Sequence, residues 1–260
     1  MEYALITGAT GGIGLELARI MASSGHNLIL VGRQEGVLKE LQTDLNGRYN
    51  VKVSFIAMDL SQSGSARQLH QQCKENGWQV SHLINNAGYG DYCKVNVSKL
   101  EIYANLLQLN VVTLTELTCL FVDDMKQRGA GKILNIGSLA AFQPCPNFAV
   151  YGASKSYVMN FTEALQYELR GTGVTATVLN PGLTQTGFVE RAHMGGAAIA
   201  QRGMMSAHDV ASIGYNAMIK GKLNVVPGWK NKLLALGSKT MPSREILLRI
   251  SAFVNRDTSN

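Results

Sequence analysis

Short apolar runs alternate with longer stretches of helical periodicity along most of the chain. The runs at 3–6, 27–31, 52–57, 81–84, 132–136, 174–179 and 223–226 read as strands, since brief, nearly continuous apolar segments suit strands covered on both faces. Between them, 12–24, 36–46, 63–76, 99–127 and 149–171 carry apolar residues at the three- and four-residue spacing of helices packed by one face. The alternation predicts an α/β fold: one doubly wound parallel sheet of about seven strands with helices on both faces. No repeat, linker or composition break divides the chain, so one domain is expected. Residues 1–226 would carry the ligand site and a glycine-rich lid at 187–206, and 227–260 would extend the same body.

Composition narrows the class. With 46% hydrophobic and 16% charged residues, 260 residues suffice for a deep core and a crevice. No apolar run nears the ~20 residues of a membrane span, and the first residues lack a signal-peptide pattern, so a cytoplasmic protein is expected. Cys73, Cys93, Cys119 and Cys145 are scattered and read as reduced thiols; neither they nor the histidines suggest a metal site. The net charge of +6 is spread without a basic run, which argues against a nucleic-acid partner and suits a ligand carrying phosphates.

The chemistry-bearing residues fall where strands end. After the first strand, Thr7–Gly14 offers Gly8, Thr10, Gly12, Ile13 and Gly14 at a strand-to-helix turn, where glycines let backbone approach a pyrophosphate and a helix N-terminus presents free N–H groups. At the end of the second strand stand Gly32 and Arg33 rather than a carboxylate. A guanidinium there suits a ribose 2′-phosphate, so NADP(H) is expected over NAD(H), with Glu35 as the opposing signal. Asp59 and Leu60 follow the third strand; Asp59 would accept from an adenine amino group or cap the next helix. Asn86, Ala87 and Gly88 follow the fourth, small enough for backbone to lie beside a ligand. Asn110 interrupts an apolar helix and needs buried partners.

Ser138 ends the fifth strand, on the edge where open α/β sheets bind ligands. Tyr151 and Lys155, four apart on a helix, project from one face. An ammonium there favours phenolate, which predicts a tyrosine pKa drawn toward neutrality. Hydroxyl, phenol and cation together can polarise a carbonyl and hand it a proton.

In this order and at these spacings, the elements resemble those of the short-chain dehydrogenase/reductase family. The Thr-Gly-x-x-x-Gly-x-Gly turn stands at Thr7, Gly8, Gly12 and Gly14, the Asn-Asn-Ala-Gly element at Asn85–Gly88, and the helix asparagine at Asn110. Ser138, Tyr151 and Lys155 match the catalytic serine and the Tyr-x-x-x-Lys pair, and Pro181, Gly182, Thr184 and Thr186 the segment after the sixth strand. The resemblance implies a Rossmann-type domain in which Tyr151 is the general acid of reduction and Ser138 steadies the substrate oxygen. Lys155 would bind the nicotinamide ribose and lower the tyrosine pKa, and Asn110 would hold a water. Pro181–Thr186 would close over the nicotinamide, and a homodimer or homotetramer would form through the helices at 99–127 and 149–171.

An NADP(H)-dependent reductase converting a ketone or aldehyde to an alcohol is the expected activity. The alternatives are a non-catalytic NADP(H)-binding sensor or scaffold, and a membrane-associated acyl or steroid carbonyl reductase. Tyr89, Tyr92, Phe142, Pro144, Phe148, Phe188, Met194 and Met204 are candidate pocket walls for an apolar, lipid-like substrate. The tail beyond Val226 mixes Leu, Ile and Phe with Lys and Arg at helical spacing. It reads either as a basic amphipathic helix on a membrane or, preferred on sequence alone, as one packed on the domain or a second subunit.

Overall fold

A computed structural model describes residues 1–198 and 203–257. Its sheet runs β3 (Val53–Ala57), β2 (Asn27–Gly32), β1 (Glu2–Thr7), β4 (Gln79–Asn85), β5 (Gly131–Ile136), β6 (Val174–Leu179) and β9 (Asn224–Val225), all parallel. The order reverses between β1 and β4, which opens a crevice beyond their carboxyl ends. The seventh strand is shorter than expected, two residues rather than four.

The strands read as continuous apolar runs because each face has its own core. Ala4, Ile6, Leu28 and Leu30 meet α1 (Gly12–Ser23), α2 (Glu35–Arg48) and α8 (Ala207–Ile219). Leu5, Ile29, Val31 and Leu83 meet α3 (Ser65–Glu75) and α5 (Leu114–Arg128) on the other side. The side-chain alternation of a strand thus feeds both layers.

Two elements depart from expectation. The helix at 99–127 is segmented: a 3₁₀ turn at Val97–Lys99, α4 (Leu100–Leu107), a π-helical stretch at Gln108–Thr113 and α5. Asn110 lies in the π stretch, a distortion that often marks a functional site. Val97–Arg128 is also long and apolar enough to cross a membrane, but Leu117, Phe121 and Met125 are buried against the sheet, as in a core helix. Second, α8 has no counterpart in the sequence reading; its inward face combines Val210 and Met218 with the small Ala211, Gly214 and Ala217. Gly214 is needed there, since a Cβ would lie 2.7 Å from Leu179 Cδ2. The tail is helical as expected, in two pieces, α9 (Trp229–Thr240) and α10 (Arg244–Val254).

The expected lid is partly built. A parallel pair, β7 (Thr184–Gln185) with β8 (Met205–Ser206), ties its two ends together, and α7 (Phe188–Arg191) lies between; residues 199–202 fall outside the described residues.

Candidate active site

One crevice of about 570 Å³ runs along the carboxyl edge of the sheet. The loops after β1 to β6 all contribute to it. Of the candidate residues, Gly8, Thr10, Gly12, Ile13, Arg33, Asp59, Leu60, Asn86, Ala87, Gly88, Ser138, Tyr151, Lys155, Pro181, Gly182, Thr184 and Thr186 line it. Gly14 and Asn110 do not.

The glycine turn explains how backbone comes to face a ligand. Gly8 and Gly12 have φ of +65° and +56°, a region a side chain strains to adopt. Gly11 precedes α1 with no side-chain cap, and an added Cβ there would meet nothing within 4 Å. The first N–H groups of α1 are therefore free for an anion. Thr7 Oγ1 accepts from Asn86 N (2.9 Å) and Ala87 N (3.0 Å), while Asn86 Nδ2 donates to Thr7 O and Gly8 O, which fastens the loops after β1 and β4 together. Gly14 corrects the sequence reading. It faces Gly8 O and Asn86 Nδ2 so closely that a Cβ would overlap both, so it lets α1 pack on the turn, and it is not among the residues lining the crevice.

Arg33 is exposed at the crevice end formed by β2 and β3, facing Asp59. Burial would raise the Asp59 carboxyl, but hydrogen bonds from Ser61 and the Arg33 charge outweigh it and hold the carboxyl below its ordinary range. Glu35 opens α2 and is not among the residues lining the crevice. An open glycine cradle, an uncapped helix N-terminus and a guanidinium beside the second strand fit a phosphorylated dinucleotide.

At the other end, Ser138, Tyr151 and Lys155 meet. Asn180 Oδ1 accepts from Ser138 N at 3.0 Å, and Asn180 Nδ2 donates to Asn224 Oδ1 at 3.1 Å, which ties the serine after β5 to the ends of β6 and β9. Ser138 Oγ accepts from Ala140 N at 3.1 Å and lies close enough to Tyr151 to stabilise its phenolate, and Phe148 stacks on the tyrosine ring with centroids 4.3 Å apart. Lys155 Nζ lies 5.7 Å from that ring's centroid and donates to Ile136 O at 2.8 Å.

Burial pushes the Tyr151 phenol up to about 12, against the lowering effect of Ser138. Burial likewise lowers the Lys155 ammonium to about 8. The expectation of a depressed tyrosine is thus reversed in the protein chain: desolvation of the phenolate dominates, Ser138 opposes it only in part, and the Lys155 charge is not among the causes of the shift. Asn110 is fully buried; its Oδ1 accepts from Tyr89 N, and its Nδ2 donates to Tyr89 O and Ser154 Oγ. It braces the loop after β4 against α6 (Ala149–Glu168).

Tyr89, Phe148, Phe188 and Met194 line the crevice as expected, whereas Tyr92, Phe142, Pro144 and Met204 do not. Phe142 belongs to a core cluster with Val158, and Pro144 O accepts from Ser251. Tyr92 works from behind: its hydroxyl donates to Asn255 O and its N–H to Ala192 O. Gln143 and Cys145, in the pocket segment at 139–148, and Arg191, in the lid, also line the crevice; Asn255 does too and carried no sequence signal, because a single residue in the tail lacks periodicity.

The comparisons agree with this geometry. A family model described as short chain dehydrogenase matches residues 2–194. The chain is 34% identical over 266 residues to sulfoacetaldehyde reductase 2 of Chromohalobacter salexigens, covering 98% of this chain and 99% of that one. It is 31% identical over 186 residues to 7beta-hydroxysteroid dehydrogenase of Clostridium sardiniense, covering 71% and 70%. A very-long-chain 3-oxoacyl-CoA reductase of Phaeosphaeria nodorum is 33% identical over 188 residues, 71% of this chain but 55% of that longer protein. A short-chain dehydrogenase from Sphingobium yanoikuyae, solved in complex with NADPH, superposes with a TM-score of 0.83 at 27% identity over 96% of both chains. The chain belongs to the short-chain dehydrogenase/reductase family, oxidoreductases that use a nicotinamide dinucleotide.

Proposed function

We propose that this protein is an NADP(H)-dependent carbonyl reductase. The observation that carries the proposal is the convergence of Ser138, Tyr151 and Lys155 at one end of a crevice whose other end holds Arg33. When bound, the cofactor supplies a hydride to the carbonyl carbon and, once oxidised, a positive charge beside the phenol.

Ser138 and Tyr151 donate hydrogen bonds to the oxygen on which negative charge grows. Tyr151 then passes its proton to that oxygen, and its raised pKa keeps it in the acid form at neutral pH. Lys155, held by Ile136 O, presents its charge toward the nicotinamide ribose and the phenol. Asn110 is a positioning residue, acting through Tyr89 and Ser154. Arg33 pairs the 2′-phosphate, and the glycine turn takes the pyrophosphate.

Phe148, Phe188, Val189 and Met194 make an apolar wall near Tyr151, which supports a substrate whose carbonyl carries apolar groups. Exposed Leu107, Val112, Tyr157 and Tyr167 on α4 to α6 and the π stretch support a homo-oligomer. The test is NADPH oxidation with a panel including sulfoacetaldehyde, oxo-steroids and 3-oxoacyl thioesters. Turnover that disappears in Tyr151→Phe supports the reading. NADPH binding without turnover of any substrate would leave a cofactor-binding sensor or scaffold instead.

A further inference from the structure

The two C-terminal helices leave most of their large apolar residues facing out, while Leu247 is the one large apolar side chain they bury. On α9, the inward residues are Ala235, Asn231, which donates to Pro227 O, and Ser238, which donates to Gln143 Oε1. Trp229, Leu233 and Leu236, at i, i+4 and i+7, share the opposite face and are 68%, 59% and 57% exposed. On α10, Leu247 and Ser251 are buried, while Ile246, Ile250 and Phe253 repeat the same spacing on an exposed stripe. Leaving this much apolar surface in water on two consecutive helices implies something that covers it.

Charge says what. Residues 229–256 carry six cationic side chains, Lys230, Lys232, Lys239, Arg244, Arg249 and Arg256, and one carboxylate, Glu245, which Arg249 pairs at 2.6 Å. The α9 segment has no acidic residue, and Lys230 and Lys232 flank its apolar stripe on either side. A two-fold contact with a second copy would set these cations against their own equivalents, since such an interface must be self-complementary. An anionic lipid surface answers both features at once: acyl chains take the stripe, headgroups take the lysines, and a tryptophan sits at the boundary.

We propose that α9 and α10 form a docking face for an anionic lipid bilayer, on which the protein lies without crossing it. The face adjoins the catalytic crevice, because Asn255, just after α10, lines that crevice and Tyr92 holds it there.

The test is flotation of the full-length protein with vesicles of phosphatidylcholine alone or mixed with phosphatidylglycerol, at low and high salt. Trp229 fluorescence, read in a Trp78→Phe background, reports insertion. The expected result is at least ~10-fold more protein floating with the phosphatidylglycerol vesicles, falling with salt, and a blue shift of Trp229. Lys230→Glu with Lys232→Glu should abolish the preference. Trp229→Ser with Leu233→Ser and Leu236→Ser should abolish flotation, and NADPH oxidation without vesicles should stay unchanged in both variants. No flotation of the wild type, or flotation undiminished in the charge variant, overturns the proposal. So does a wild-type dimer that the serine variant turns into monomer without any vesicle binding, which would mean that a second copy covers the face.

Discussion

Lys155 reaches within 5.7 Å of the Tyr151 ring centroid but spends its hydrogen bond on the carbonyl of Ile136, 2.8 Å away. The lysine is anchored by the end of β5, so its charge stays beside the phenol whether or not the phenol is ionised. The two side chains should therefore fail differently. Tyr151→Phe removes only the proton donor and should lower kcat by ~10²–10⁴-fold, the usual worth of a general acid, with NADPH affinity nearly unchanged. Lys155→Met should lose both turnover and NADPH affinity. Steady-state kinetics with fluorescence titration of NADPH checks this; equal loss of affinity in both variants would contradict it.

The same burial makes stability depend on pH. Lys155 has a folded value of about 8 against an ordinary 10.5. Between these values the unfolded chain holds a proton that the folded chain has released, so this group's contribution to stability rises with pH across that window. Below about 8 both states are charged and the desolvation cost is present in full. Tyr151 acts oppositely: with a folded value of about 12 against 10, the unfolded phenol ionises first and stability declines above pH 10. Lys155→Met should therefore be more stable than the wild type at pH 7, by up to about 3 kcal/mol at 1.36 kcal/mol per pKa unit. That advantage should shrink toward pH 10. Thermal melts from pH 7 to pH 10 without cofactor test it, and parallel profiles would refute it.

Arg33 stands at the end of β2, and its charge already acts on Asp59. Arg33→Ser should raise the KM for NADPH by ~10–100-fold through loss of a charge-assisted pair, while the KM for NADH changes little. The salt dependence of NADPH binding should weaken in parallel. If both cofactors lose affinity equally, Arg33 serves the adenosine in general rather than a 2′-phosphate.

The parts legible in the sequence were those written as periodic or punctuated patterns. All seven strands of the main sheet announced themselves as short runs whose central positions are apolar, the last of them shorter than expected, and the crevice residues cluster where those runs stop. The helix α8 was not read, because between Val210 and Met218 its buried face is made by Ala211, Gly214 and Ala217, whose small side chains mark an inward face weakly. Asn180 was equally hidden. It reads as the start of a Pro-Gly segment, and only the fold brings its Oδ1 to Ser138 N, so close to Gly137 that no other residue fits that position. Gly14 was assigned to the ligand because a motif gives spacing but not what each glycine faces: a Cβ at Gly11 would meet nothing within 4 Å, whereas one at Gly14 would overlap Gly8 O and Asn86 Nδ2.

That difference gives the last prediction. At Gly11 the backbone is extended, with φ of −173°, and an added Cβ has nothing within 4 Å, while the residue lines the crevice. Gly11→Ala should therefore fold and melt nearly as the wild type but bind NADPH more weakly, because the methyl occupies space where the ligand lies. At Gly14 the Cβ would overlap the Gly8 carbonyl oxygen and Asn86 Nδ2, neither of which is the end of a flexible side chain free to swing away. The turn or α1 must shift, at the roughly 1–3 kcal/mol of an overpacked contact. Gly14→Ala should thus lower the melting temperature before any ligand is added, and lose NADPH binding as a consequence of the displaced turn. Melting curves and NADPH titrations on the two variants separate the roles; a stable Gly14→Ala that alone loses NADPH would return that glycine to the ligand.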